Sequence, residues 1–414
     1  MSTVERTLRK APRARARLID RAAVAVLERE LAYLQGGALH VTLPDGTRRC
    51  FGAGKPVSLE IHDRALFRRL ATRGKVGFGE AYTAGDWDTD DLVGLFELLL
   101  RNSEAAAART GIVRRLVEAR PRANRRNGLL RARRNISYHY DLGNGLFELM
   151  LDETMTYSCG IFEHDDATLA DAQRAKLQRI CDKLRLGPDD HVLEIGCGWG
   201  GFAVHAAQTT GCRVTGLTIS AEQAKLARER VVSTGLEERV AIVEQDYREH
   251  DGRYTKVASI EMLEAIGEKQ FGTYFATIDR VLDRGGIACV QTILIPDDRW
   301  DRYRKAPDWI EQYIFPGCLI PSLSALLKAA TASSKLAILD VDEIGPHYAQ
   351  TLRRWRAHIH ERIDEVRALG YDRTFERTWD FYLAFCEAGF RSRALRDVQL
   401  TLTRARDGGG WVSR

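Results

Sequence analysis

From about residue 186 onward, short apolar runs alternate with stretches whose apolar residues recur every three to four positions. The runs His191–Ile195, Arg213–Ile219, Val240–Gln245, Lys256–Met262, Ile287–Leu294, Leu336–Val341 and Arg396–Thr403 predict seven strands. Between them, Ala203–Thr209, Ala221–Thr234, Phe271–Val281, Leu323–Ala330, Tyr348–Leu369 and Phe375–Glu387 predict helices. Alternation of this kind implies an α/β fold: a doubly wound, mostly parallel seven-stranded sheet with helices on both faces. Such a sheet binds its ligand beyond the carboxyl ends of its strands, where the strand order reverses.

The first third of the chain is patterned differently. Residues 18–34 place Val24, Leu27, Leu31 and Leu34 on one helical face. From Leu39 to Ile61, Gly and Pro punctuate short apolar pieces, as in His40-Val41-Thr42-Leu43 followed by Pro44-Asp45-Gly46-Thr47, and predict small strands and turns. Helical patterns follow at 63–73 and 91–109. A smaller, mixed α/β domain over residues 1–120 is expected, then a linker at 121–134 carrying Pro121, Asn124, Asn127 and Gly128.

A length of 414 residues agrees with two domains, and 44% apolar with 29% charged residues is a globular balance. No stretch approaches the roughly 20 uncharged apolar residues that span a bilayer; the best, Leu92–Leu100, contains Glu97. The Arg-rich start has no apolar core of a secretory signal. Eight cysteines without a CxxC pair or metal-ligand spacing predict reduced thiols, no metal site and a cytoplasmic address. The net charge of +5 is unevenly spread: residues 6–21 hold seven basic side chains against one acid, and residues 120–134 hold seven arginines and no acid. Such blocks suit nucleic acid or an anionic membrane surface, or are solvated segments.

One loop carries chemistry. Val192-Leu193-Glu194-Ile195-Gly196-Cys197-Gly198-Trp199-Gly200-Gly201 joins a strand to a helix through closely spaced glycines, which allow a tight turn and close approach of a ligand. No Lys-Ser/Thr follows to cradle phosphates. The next strand ends in Thr218-Ile219-Ser220 and lacks the acid expected on an NAD ribose. The third ends in Gln245-Asp246-Tyr247, whose carboxylate could accept from an adenine amino group. An adenosyl ligand without a pyrophosphate fits best, which means S-adenosylmethionine.

Further strings accompany this loop: His139-Tyr140-Asp141-Leu142-Gly143-Asn144, Tyr157-Ser158-Cys159-Gly160, Thr218-Ile219-Ser220-Ala221-Glu222-Gln223, Tyr313-Ile314-Phe315-Pro316-Gly317, and Tyr382-Leu383 with Cys386 and Gly389-Phe390-Arg391. In order and spacing the chain from 135 to 404 resembles the cyclopropane-fatty-acyl-phospholipid synthases and the related mycolic acid methyltransferases. The resemblance implies a class I S-adenosylmethionine-dependent methyltransferase domain at 135–404, with 405–414 as a tail. It implies that Tyr157, Ser158, Gly196, Cys197, Gly198, Thr218, Ile219, Gln223, Asp246 and Tyr247 line the cofactor pocket. It also implies a bound bicarbonate as base, held by Cys159, Glu264, the Ile293 backbone and Tyr348. Gln291 stands where many members have His, and Ala265 where many have His after the catalytic Glu. Gln can donate a hydrogen bond but carries no charge. Cys386 matches a family cysteine once considered a nucleophile, and is expected to be structural.

The implied reaction is transfer of the sulfonium methyl to the cis double bond of an unsaturated phospholipid acyl chain. The resulting carbocation then loses a proton to close a cyclopropane ring. Water must be kept out, aromatic faces can stabilise the cation, and a base must stand beside the new methyl. The alternatives are a methyl-branched or methylene acyl product, a soluble unsaturated natural product as substrate, or an inactive lipid-binding scaffold. The expected setting is an anionic membrane surface, bound peripherally by a homodimer through residues 1–120. Nucleic acid is not expected, since no base-reading aromatic motif flanks the basic blocks. If the arginines between 120 and 134 touch lipid phosphates, sedimentation with anionic vesicles should weaken as salt rises. It should weaken further when Arg125, Arg126, Arg133 and Arg134 become Gln; indifference to both changes would make the segment a solvated linker.

Overall fold

The computed structural model describes residues 24–25, 28–109, 143–305 and 308–404. The Arg-rich blocks, most of the His139–Asn144 string and the tail lie outside these residues. The described chain divides into two compact units. The first holds the residues up to 109 together with Arg373–Phe381; the second holds 143–372 and 382–404.

The first unit contains a four-stranded sheet of β1 (Gly37–Thr42), β2 (Arg48–Ala53), β3 (Pro56–Ile61) and β4 (Trp87–Asp88), in the order β2-β1-β3-β4. β1 pairs antiparallel with β2 and parallel with β3. The helices Ala65–Thr83 and Leu92–Arg109 complete it. The first runs ten residues beyond the expected 63–73, continuing through a kink at Gly74, whose φ of 54° a glycine takes without strain. Trp87, fully buried, stacks on Phe78 at 4.3 Å. Arg377 ties the unit together: its guanidinium donates to the Tyr82 carbonyl at 2.5 Å and the Trp87 carbonyl at 2.9 Å, and pairs with Asp88 at 2.8 Å. It also lies 4.0 Å from the centre of the Tyr82 ring.

The second unit is built on a seven-stranded sheet ordered β10-β11-β9-β8-β5-β6-β7. These strands are β5 (His191–Ile195), β6 (Arg213–Thr218), β7 (Val240–Glu244), β8 (Tyr254–Ile260), β9 (Leu282–Leu294), β10 (Leu336–Glu343) and β11 (Arg396–Arg404). β5 to β9 run parallel, whereas β11 is antiparallel to both β9 and β10. The chain winds from β5 outward to β7, then crosses back so that β8 lies on the other side of β5. The switch point therefore falls between the ends of β5 and β8. One apolar layer packs Phe271, Tyr274, Phe275 and Ile278 onto this sheet, and another packs Leu177, Ile180, Phe202 and Ala227.

Each predicted strand and helix of this unit is present, with shifts at the ends. β8 begins two residues early and stops at Ile260, leaving Glu261 and Met262 in the following turn. β9 starts at Leu282, across the Gly285–Gly286 pair that reads as a break. The expected helix 348–369 is two helices, Gly345–Glu361 and Ile363–Ala368, broken at Arg362, whose side chain donates to the Leu149 carbonyl at 2.5 Å. The helix Leu169–Leu184 was not anticipated. Its buried stripe recurs every three to four residues but includes Gln173 and Lys176, and two polar residues disguise an apolar face. Its start is a capping box between Thr168 and Asp171.

Replacing Arg377 with Met should remove its donors from the Tyr82 and Trp87 carbonyls and the cation paired with Asp88, and cost the first unit about 2 kcal/mol or more. Urea denaturation followed by tryptophan fluorescence should show this as an earlier transition.

Candidate active site

The loop after β5 turns through Gly196, Gly198 and Gly200, whose φ values of 82°, 52° and 83° fall in the left-handed region that favours glycine. The Gly196 and Cys197 amides both donate to the Leu217 carbonyl, pinning the loop to β6. The helix Gly201–Thr210 starts directly behind it. In front of the loop lies a cavity of about 300 Å³. Its wall includes Tyr157, Ser158, Gly196, Cys197, Gly198, Thr218, Ile219, Gln223, Asp246 and Tyr247, and on the far side Glu264, Ile293, Tyr348 and Cys386. Cys159 and Gln291 are not part of that wall. Both are fully buried behind it, and act on the cavity only through what they hold.

The polar residues are locked by one another. The Thr218 hydroxyl donates to Gln223 Oε1 at 2.8 Å. Asp246 is gripped by the Arg248 guanidinium at 2.8 and 2.6 Å, an ion-paired carboxylate in the cavity wall. Lys176, fully buried, donates to Ser158 Oγ at 2.7 Å, and Gln173 donates to the Ser158 carbonyl at 2.8 Å. Aromatic rings fill the rest: Tyr157 lies 5.0 Å from Trp355 and 5.3 Å from Phe147, its hydroxyl 2.7 Å from that of Tyr382, and Tyr348 stacks on Phe390 at 4.5 Å. Burial, then the Asp308 charge, raises the Cys386 thiol, which disfavours the thiolate a nucleophile needs.

At the end of β8 stand two carboxylates. Glu264 Oε1 accepts from the Thr292 hydroxyl at 2.9 Å and from the Ile293 amide. Its Oε2 is buried without a hydrogen-bond partner. Burial, then the neighbouring Glu261 charge, raises its pKa to about 8. Glu261 was not singled out from the sequence, although it directly follows β8, three residues before Glu264. Its Oε1 accepts from the Cys159 amide and from Gln291 Nε2, both at 2.8 Å, and its Oε2 from the Tyr348 hydroxyl at 2.6 Å. Its backbone sits at φ 48°, a left-handed conformation that costs a non-glycine residue about 1–2 kcal/mol. The Glu261 amide, donating to the Gln291 carbonyl at 2.9 Å, helps to hold it there. Burial, then the Glu261 charge, pushes Asp397 well above the usual carboxylate range.

Two buried acceptors in the cavity wall lack a donor: Glu264 Oε2 and Glu194 Oε2, the latter with a pKa raised to about 8 by burial. A ligand bringing positive charge and N–H donors answers both needs, and S-adenosylmethionine fits. Bicarbonate does not. The Cys159 amide, Gln291 and Tyr348 already converge on Glu261, and the Ile293 amide is taken by Glu264, so the donors expected to cradle an external anion are engaged by the chain's own carboxylates.

Residues 128–400 match the family model described as mycolic acid cyclopropane synthetase. The chain belongs to the mycolic acid cyclopropane synthetase family. It is 40% identical over 375 residues to tuberculostearic acid methyltransferase UfaA1 of Mycobacterium tuberculosis, covering 88% of each chain. It is 35% identical over 363 residues to the cyclopropane-fatty-acyl-phospholipid synthase of Escherichia coli K12, covering 87% of this chain and 91% of that one. Among solved structures, mycolic acid cyclopropane synthase CmaA1 complexed with SAH and CTAB aligns with a TM-score of 0.61 at 30% identity, over 65% of this chain and 97% of that one. This family member is therefore an S-adenosylmethionine-dependent methyltransferase that transfers a methyl or methylene carbon to lipid acyl chains.

The raised Glu264 sets a pH dependence. Its native pKa of about 8 stands above an ordinary 4.5, so the folded state holds the proton more tightly than the unfolded chain. The stability this contributes is present below pH 4.5 and is lost as pH rises through 8. Glu264→Gln keeps an acceptor for Thr292 and Ile293 but cannot ionise. The variant should melt several degrees above the wild type at pH 9, and thermal melts of the two should converge near pH 5.

Proposed function

We propose that the enzyme methylates the cis double bond of an unsaturated phospholipid acyl chain and that the resulting cation closes to a cyclopropane. The observation that carries this reading is one cavity in which the glycine loop, an aromatic wall and two carboxylates meet at the switch point. The cofactor supplies an electrophilic methyl. Tyr157, Tyr348, Tyr382 and Phe390 line the cavity, where aromatic rings can stabilise the cation that methyl transfer leaves on the acyl chain, and apolar burial keeps water from trapping it. Glu264, anchored through Oε1, sets negative charge beside that cation once it ionises. The Escherichia coli relative supports a phospholipid substrate.

A second reading shares the cation and changes the proton that is lost, giving a methylene or methyl-branched chain. The 40% identity to a tuberculostearic acid methyltransferase favours it. In both readings residues 1–120 dock a homodimer reversibly on an anionic, cytoplasmic membrane surface, with the Arg-rich segments as the electrostatic contact. Among the described residues no helix is long and apolar enough to cross a membrane.

Purified protein incubated with methyl-labelled S-adenosylmethionine and mixed unsaturated phospholipid vesicles should yield labelled lipid. Proton NMR then separates ring methylene from exomethylene or branched methyl. Glu264→Gln should lower turnover roughly 100-fold. Unlabelled lipid, or turnover of the variant at the wild-type rate, would count against the reading.

A further inference from the structure

We propose that Glu261 is the proton acceptor of the reaction: a carboxylate built into the chain that fills the place where an external anion would otherwise be held. This rests on the reading of the site as an alkene C-methyltransferase, and adds to it the identity of the base.

Three donors from three separate elements converge on this one side chain. The Cys159 amide comes from the loop before helix Leu169–Leu184, Gln291 from β9, and the Tyr348 hydroxyl from helix Gly345–Glu361. Both carboxylate oxygens are thereby oriented, Oε1 by two donors and Oε2 by one. Gln291 is itself fixed, since its Oε1 accepts from Gln399 at 3.1 Å and its amide nitrogen also reaches Asp397 at 3.1 Å. A cradle of this precision around a carboxylate that merely fills space is unnecessary, because a buried apolar side chain would need no donors. Glu261 lines the cavity beside Met262, Glu264, Ile293 and Tyr348. Its left-handed backbone is retained at the end of a strand at the switch point, and strain of this kind collects at functional positions. Burial raises the Glu261 carboxyl above its ordinary range, while the hydrogen bonds from Tyr348, Cys159 and Gln291 and the buried Lys176 ammonium all favour the ionised form. Gln291 also gains a role: a neutral amide donor suits a carboxylate already attached to the chain.

The step balances without an added reagent. After methyl transfer the acyl cation carries the new methyl; one C–H bond breaks and its proton goes to a Glu261 oxygen. The electron pair of that bond closes the ring bond, or forms a double bond if the proton comes from an adjacent carbon. Glu261 then returns the proton to solvent when product leaves.

The test uses the full-length enzyme with the vesicles above, in buffer freed of carbon dioxide and in buffer with added bicarbonate. Wild-type turnover should be the same in both, and ¹³C NMR should show no binding of ¹³C-bicarbonate. Glu261→Gln should lose roughly 100-fold or more in turnover, with affinity for the demethylated cofactor unchanged. Glu261→Gly relieves the backbone at φ 48° and empties the cradle. This variant should be inactive without an anion, bind ¹³C-bicarbonate, and recover about tenfold or more with bicarbonate or formate, part of the contribution of a positioned base. Wild-type turnover that requires bicarbonate, bicarbonate bound by the wild type, or Glu261→Gln at full rate would each overturn the proposal. So would a folded Glu261→Gly variant that neither anion restores. Wild-type enzyme that leaves every phospholipid unlabelled would instead refute the substrate reading, and the bicarbonate-binding contrast would still decide whether Glu261 fills the anion place.

Discussion

The second unit is organised around the need to satisfy a carboxylate at the end of a buried strand. β8 delivers Glu261 to the switch point, where an ionised side chain without donors would be prohibitively costly. The Cys159 amide, Gln291 and Tyr348 meet that need, and each has to be brought from a different part of the chain. The loop carrying Ser158 and Cys159 is in turn held by Lys176 and Gln173 from helix Leu169–Leu184. The helix Gly345–Glu361 carries Tyr348 and stacks it on Phe390. Removing the carboxylate would leave three donors facing an apolar wall, so site and fold are coupled through one side chain.

This arrangement settles how opposite demands coexist in one cavity. A cationic cofactor and a cationic acyl intermediate call for negative charge, whereas an alkene calls for apolar walls. Several buried carboxylates cannot all be charged together in such a place. Burial and the Glu261 charge raise Asp397 well above the usual carboxylate range, burial pushes Glu264 and Glu194 up to about 8, and Lys176 lies within the field of Glu261. Negative charge is thus concentrated where donors support it, and the remaining acids can ionise when a cation arrives.

The first unit relies on a different device. Its sheet is small, and Arg377 secures it by capping the carbonyls of Tyr82 and Trp87 while lying over the Tyr82 ring. An arginine does this better than a lysine because its planar fork binds several acceptors at once.

Much of the sheet was legible from residue order. Short apolar runs such as His191–Ile195, bounded by turn residues, read as buried strands, and the glycines after β5 announce a ligand loop because no other residue takes φ values near 80° so cheaply. The family resemblance marked Glu264, just beyond β8, as a site residue, and it lines the cavity. Helix Leu169–Leu184 stayed hidden because Gln173 and Lys176 occupy core positions, and only the Ser158 loop packed against them explains why polar groups belong there. Glu261 stood in plain view, but the sequence could not say where its carboxylate would point. Local patterning determines which segments become strands, helices and glycine turns, since those choices depend on neighbours within a few residues. Which donors meet Glu261, and therefore whether the chain needs an outside anion, was decided only when residues 102, 30 and 87 positions away were folded against it.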